Sequence, residues 1–155
     1  MTPEPIHRTT ARVIPVNDAG EVLLLRGHDP ARPDQPYWFS IGGGTEPGET
    51  PPETAVRELF EETGIRAGVD QLGDPFHRGR HDYSYDGARY VAHSTFFALA
   101  LGAVELTFEG AGENEVVTGA GWFTPDDLEH VPLSNRTLPD VARRAIAHLR
   151  SRAND

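Results

Sequence analysis

Nothing in this 155-residue chain constrains it more than the stretch from Gly43 to Ile65. It runs Gly43, five residues, Glu49, seven residues, then Arg57-Glu58-Leu59-Phe60-Glu61-Glu62-Thr63-Gly64-Ile65. At ~100° per residue, a helix here gathers Glu58, Glu61 and Glu62 into one stripe and Val56, Leu59, Phe60 and Thr63 into another. One face is suited to burial, and the other holds three carboxylates within little more than a turn. Like charges at i,i+4 cost a helix about 0.2–0.5 kcal/mol, so a purely structural helix more often mixes its signs. A divalent cation removes the conflict, because hard oxygen ligands suit Mg²⁺ or Mn²⁺. The plainer alternative is a solvated acidic face.

The flanks favour the cation. Thr50-Pro51-Pro52-Glu53 reads as a capping box, with Thr50 as N-cap, Pro51 at the first helical position and Glu53 reaching back. Gly64 is suited to end the helix in the left-handed conformation. Ahead of it, Gly42-Gly43-Gly44-Thr45-Glu46-Pro47-Gly48-Glu49 forms a loop whose glycines admit close backbone approach to a ligand. A glycine loop feeding a capped helix with a carboxylate stripe is a far more specific signal than either part alone.

This pattern, Gly-x5-Glu-x7-Arg-Glu-(aliphatic)-x-Glu-Glu-x-Gly-(aliphatic), resembles the signature box of the Nudix hydrolases at every defined position. An early hairpin (12–26), Tyr37-Trp38-Phe39 entering the loop, and Trp122-Phe123 before Pro125-Asp126-Asp127-Leu128 are also similar to the family. One departure is Ile41, where family members often carry proline before the paired glycines; it bears on loop stiffness more than on chemistry. The resemblance implies an α/β/α sandwich with a mixed sheet between helices. It also implies a Mg²⁺-dependent hydrolase of a pyrophosphate bond, with Mn²⁺ as a substitute. The substrate would be a nucleoside diphosphate linked to another moiety: a dinucleoside polyphosphate, an oxidised or normal (d)NTP, or a nucleotide sugar. Glu61 and Glu62 are then the first metal ligands, joined by the Gly42 carbonyl. Glu58 is a further ligand or the base that takes the water proton. Arg57 orients Glu58 through a charge-assisted hydrogen bond, or is an ordinary surface ion pair. Glu49 braces the loop against the helix. Glu113 or Glu115 supplies a second candidate base, or both are solvated loop acids.

Two other classes fit less well. A non-catalytic nucleotide-sensing module on the same fold would usually have lost a Glu of the box, and all are present. A Nudix-like isoprenoid diphosphate isomerase relies on cysteine, and this chain has none. The absence of cysteine also removes disulfides and thiolate zinc sites. The histidines show no ligand spacing that would build a zinc site.

The length suits one domain, residues 1–155, with 1–8 as a flexible N-terminal tail. The N-terminus lacks a signal-peptide core, and the longest apolar run, Phe96 to Leu101, is far short of the ~20 residues that span a bilayer. A soluble, cytoplasmic protein is expected. Half of the net charge of −10 falls in residues 46–62, which hold six Glu and one Arg. Such a patch disfavours long nucleic acid as a partner. The expected partner is a small nucleotide; no membrane partner is expected, and a homodimer is compatible.

Elsewhere strands dominate. Val13–Val16 and Val22–Arg26 flank the turn Asn17-Asp18-Ala19-Gly20. Residues 27–36 read as a loop, and Tyr85-Asp86-Gly87-Ala88 as a type I′ hairpin turn. Residues 89–101 read as a buried central strand. Thr107 to Gly121 reads as a mobile loop, and Pro139–Arg150 as a second helix with Val141, Ala142, Ala145, Ile146 and Leu149 on one face.

Arg78, Arg80, His81, Tyr83, Tyr85 and Arg89 cluster in sequence around the second hairpin. Arg clamps phosphates and Tyr stacks on bases, although such residues are also ordinary cross-strand pairs. Arg26, Trp38, Arg80 and Tyr83 are the substrate-binding candidates. Tyr83 falls where dinucleoside-polyphosphate members of the family tend to carry Tyr. No Pro stands near Arg80, as ADP-ribose members tend to have.

Overall fold

The computed structural model describes residues 3–102 and 116–153. Seven strands form one mixed sheet: β1 (Ile6–Val16), β2 (Val22–His28), β3 (Tyr37–Phe39), β4 (Ile41–Gly44), β5 (His77–Tyr85), β6 (Ala88–Ala100) and β7 (Val116–Phe123). The path runs β3-β2-β1-β6-β5, with β4 pairing β1 and β7 pairing β2. β1 lies parallel to β6 along its whole length, from Ile6↔Tyr90 to Val16↔Ala100, and the other pairs are antiparallel. β1 and β2 meet only at Val16↔Val22, beside their turn, and then diverge to different partners. This divergence splits the sheet into two arms.

Alternation along the central strands sends side chains to two cores. Ala11, Val13, Leu23, Leu25, Phe97 and Leu99 pack with Ala55 and Leu59 of helix α1 (Pro51–Thr63) and Leu72 of the short helix α2 (Val69–Leu72). Ile14, Val16, Val22, Leu24, Phe96 and Ala98 pack with Val141, Ala142 and Ala145 of helix α3 (Leu138–Ala153). The result is the expected α/β/α sandwich. No helix among the described residues is long and apolar enough to cross a membrane.

Local chemistry explains the elements. Thr50 caps α1 in a reciprocal box with Glu53, Pro51 opens the helix, and Gly64 closes it at φ 77°. Asp86 and Gly87 both take positive φ, 49° and 81°, as a type I′ turn requires. α3 runs slightly longer than expected and buries the predicted face.

Four expectations are corrected. Residues 6–8 are not tail but the first residues of β1, paired to Tyr90, Val91 and Ala92. Residues 116–121 are strand β7 rather than loop; Gly121 fits there because a Cβ would press on the Phe123 and Trp38 rings at 3.1 and 3.2 Å. Residues 107–115 lie outside the described residues. The buried face of α1 is rotated relative to the expected stripe: Ala55, Leu59, Glu62 and Thr63 go inside, while Phe60 stays 43% exposed beneath Arg66. Glu62 therefore belongs to the buried face, not to an exposed acidic one. Beyond the two expected helices, the described residues add α2 and a 3₁₀ turn at Asp127–His130.

Candidate active site

β4 supplies the seam of the site. Gly42 has φ 148°, and a Cβ there would collide with the Ala11 carbonyl and lie 2.8 Å from Arg12 Cα, so β1 fits against it only because it is glycine. Its N–H donates to Glu62 Oε1 at 2.9 Å, which engages one oxygen of a carboxylate that is only 1% exposed. Gly43 leaves room for the next carboxylate: a Cβ there would sit 2.6 Å from Glu58 Oε1. Glu62 and Glu58 thus close on consecutive glycines of β4.

Arg57 gathers the remaining charges. Its Nε and Nη2 donate to Glu49 at 2.6 and 3.0 Å, a bidentate fork, and Nη2 also donates to the Gly44 carbonyl at 3.0 Å. Nη1 donates to Glu58 at 3.0 Å and to Glu61 Oε2 at 3.2 Å. The expected contact with Glu58 is present, but the stronger tie is to Glu49. Those hydrogen bonds from Arg57 are the main reason the Glu49 carboxyl is held down to about 2, and the same bonds hold the guanidinium well above its ordinary range. Glu49 also accepts from Glu46 N–H and from Thr54 Oγ1, bracing the loop against the helix.

Three carboxylates, Glu49, Glu58 and Glu61, thus accept hydrogen bonds from one cation, Glu46 stands 3.9 Å from it, and Glu62 lies a turn away from Glu58. The excess negative charge and the hard oxygen donors fit a divalent cation of the Mg²⁺ type. In the arrangement described, Arg57 holds Glu58 and Glu61, and among the described residues no three acidic or histidine side chains converge as a ready-made ligand set.

A cleft of about 680 Å³ opens on the other side of the seam. It arises because the rows Arg8–Ala92–His81 and Thr10–Ser94–Gly79 put small residues between large ones across β1, β6 and β5. Thr10 and Ser94 hydroxyls bond each other at 2.6 Å and carry no bulk above the sheet. Arg8 reaches the Tyr83 hydroxyl at 3.2 Å and lies close to Gly44. Arg12 Nη1 donates to the Ser40 carbonyl at 2.9 Å and approaches the Gly42 carbonyl at 3.5 Å. Burial, reinforced by Arg12, pushes the His81 ring below its ordinary pKa.

Of the four substrate-binding candidates, only Tyr83 lines this cleft. Arg80 points to the opposite face of β5 and pairs with Asp82 at 2.9 Å, because successive strand residues alternate. Trp38 packs edge-on against Phe123 at 4.7 Å, its backbone bonded to Pro132 and Ser134. Arg26 is exposed beside Thr118. Glu113 and Glu115 lie outside the described residues. Sequence reasoning missed Arg8 and Arg12; the alternation Arg8-x-Thr10-x-Arg12 running into an apolar strand was the available signal.

The model of the NUDIX domain matches residues 6–147. The chain belongs to the Nudix family. A Bacillus subtilis (strain 168) protein named "Putative 8-oxo-dGTP diphosphatase" is 42% identical over 126 residues, covering 81% of this Nudix chain and 72% of that protein. The dihydroneopterin triphosphate diphosphatase of Escherichia coli (strain K12) is 40% identical over 99 residues, covering 57% of this chain and 62% of the other. Among solved structures, the MutT protein of Methanosarcina mazei Go1 superimposes with a TM-score of 0.69 at 20% identity, covering 95% and 98% of the two chains, and so shares the Nudix fold.

Proposed function

We propose that this Nudix-type pyrophosphohydrolase cleaves a phosphoanhydride bond of a nucleoside triphosphate, or of a similar heterocyclic triphosphate, with Mg²⁺ as cofactor. One observation carries the reading: the glycine seam Gly42–Gly44 has Arg8 and Arg12 on one side and the Arg57–Glu49–Glu58–Glu61 cluster with Glu62 on the other. A polyphosphate laid along this bare backbone meets positive charge from the cleft and carboxylates from the helix. The names of the two sequence relatives, both diphosphatases of triphosphates, support the same class.

In this reading Glu61, Glu62 and the Gly42 carbonyl would hold Mg²⁺ or Mn²⁺, with Glu58 as a further ligand or as the base. When bound, the metal screens the phosphate oxygens and lowers the pKa of a coordinated water. Arg57 keeps Glu58 and Glu61 aimed at one place and locks the loop to the helix through Glu49. Arg8 offers its guanidinium to the phosphates beside Gly44. Water oxygen bonds to phosphorus, the bridging P–O bond breaks, and the water proton passes to a carboxylate, Glu58 or Glu115.

The test is incubation with Mg²⁺ and normal and oxidised (d)NTPs, dinucleoside polyphosphates and nucleotide sugars, with products separated by chromatography beside Glu62→Gln. Turnover of a triphosphate, lost in the variant, is expected. Turnover that survives Glu62→Gln, or cleavage of everything but triphosphates, would sink the proposal. Ligand binding without any turnover would favour a sensing module.

A further inference from the structure

The face of the sheet turned away from the cleft carries a pair of histidines that the hydrolase chemistry does not use. β1 and β6 run parallel with His7 opposite Val91 and Thr9 opposite His93, so the two histidines are diagonal neighbours on one face. Arg8 and Ala92, which alternate with them, line the cleft on the other face. His7 Nδ1 stands 2.9 Å from His93 Nε2. The ring planes lie within 11° of each other and the centroids are 5.2 Å apart, so the rings meet edge to edge rather than face on face. Both side chains are exposed. They are 86 positions apart in the chain, and the parallel register brings them together where no sequence spacing could.

Two neutral imidazoles at this distance share one proton, with one ring nitrogen donating and the other accepting. Each ring has a second nitrogen that can carry its proton instead. Moved to His7 Nε2 and His93 Nδ1, the protons leave two lone pairs facing each other across 2.9 Å, which repel unless a cation joins them. Imidazole nitrogen suits borderline transition metals rather than Mg²⁺. The separation narrows the choice further. At a metal–nitrogen distance of about 2.0–2.1 Å, nitrogens 2.9 Å apart subtend about 90°, the cis angle of a square-planar or tetragonal site. Tetrahedral zinc sets its ligand nitrogens about 3.3–3.4 Å apart. Exposed side chains change rotamer within nanoseconds, so both rings can turn their lone pairs toward one point beside the line that joins them. Arg80 lies opposite His93 on β5 and is tied to Asp82 at 2.9 Å, so the cation facing the pair from that strand already has a carboxylate of its own.

We propose that His7 and His93 form a two-imidazole site for a divalent transition metal of tetragonal preference, with water completing the coordination. Cu²⁺ binds it most tightly, because the affinity of nitrogen sites peaks at copper along the first-row series. The site joins β1 to β6 and is independent of the hydrolase reading. It offers nitrogen, whereas the carboxylates of α1 offer oxygen, and that difference lets one measurement tell the two apart.

The experiment is electron paramagnetic resonance of the full chain with one equivalent of Cu²⁺ as the probe and excess Mg²⁺ present. The wild-type spectrum should be axial, with splitting from two nitrogens. His7→Gln and His93→Gln should each lose the two-nitrogen pattern and bind Cu²⁺ about tenfold or more weakly. Without metal, both should melt within a few degrees of wild type, since the side chains are exposed. If either variant fails to fold, the wild type decides alone: substoichiometric Cu²⁺ should broaden the ring resonances of His7 and His93 before those of the other histidines. A wild-type spectrum with oxygen donors only, or with a single nitrogen, overturns the proposal. So does a two-nitrogen pattern that survives in a folded variant, or broadening that begins at another histidine.

Discussion

Arg57 is the residue on which the site's charge converges, and its planar fork matters as much as its charge. Lysine at this position would keep the positive charge but could not donate to Glu49 through two nitrogens while holding Glu58 and Glu61 through a third. Arg57→Lys should therefore lower kcat by about 10²-fold in a steady-state assay, with the protein still folded; wild-type kcat in this variant would show the fork to be dispensable. Glu49 carries the complementary prediction. Its side chain is 15% exposed, and Glu49→Gln should destabilise the fold by about 1–3 kcal/mol in urea titration. Because its carboxyl is depressed from 4.5 to about 2, Glu49 binds a proton less readily folded than unfolded. Its contribution is complete above about pH 4.5 and is lost as pH falls from there toward 2. The stability gap between wild type and Glu49→Gln should accordingly narrow as pH falls from 4.5 to about 2, and a gap that stays constant would contradict the assignment. The acid positions were legible because their spacing is fixed. The inward turn of Glu62 was not, since it depends on the Gly42 amide, a donor no side-chain pattern reveals.

At the scale of elements, the two adjacent glycines of β4 should fail in opposite ways. A Cβ on Gly42 meets backbone, the Ala11 carbonyl and Arg12 Cα, in a φ region that side chains rarely adopt. Gly42→Ala should cost about 3 kcal/mol or more of stability, because two strands have to separate. A Cβ on Gly43 meets only the end of the Glu58 side chain. Gly43→Ala should melt within a few degrees of wild type (about 1 kcal/mol or less,) yet lose about tenfold or more in kcat, since the displaced group is the carboxylate itself. Thermal melts beside a turnover assay separate the two; similar losses of stability in both would refute the distinction. Helix α1 was readable to its caps because Thr50, Pro51, Glu53 and Gly64 act locally. β1 before Val13 and β7 were not, because the first shows polar residues to a cleft and the second carries Gly119 in open space and Gly121 beneath aromatic rings.

In the molecule as a whole, the sandwich followed from the signature, but the cleft joins residues far apart in the chain, as Arg8 with Tyr83. No local pattern encodes such pairings; the parallel register of β1 on β6 creates them. The same long-range logic places a latch at the cleft rim. Asp29, which begins the loop between β2 and β3, accepts from the Asp86 N–H at 2.8 Å and from Ala31 N–H at 2.9 Å. Asp86 is the tip of the β5–β6 hairpin, so this one carboxylate ties together the two arms of the split sheet. A single charge-assisted bond between exposed segments contributes about 1–2 kcal/mol locally and little to global unfolding, which the two cores control. Asp29→Ala should therefore speed hydrogen exchange at the Asp86 amide by about tenfold while amides of the central β6 strand keep their protection. Substrate KM should rise as well, because Asp29, Arg32 and Asp86 all border the cleft and the loop would no longer be held to the hairpin. Unchanged exchange at Asp86 would mean that the two arms are held by their packing alone. Loss of protection throughout β6 would mean instead that the latch is part of the global fold.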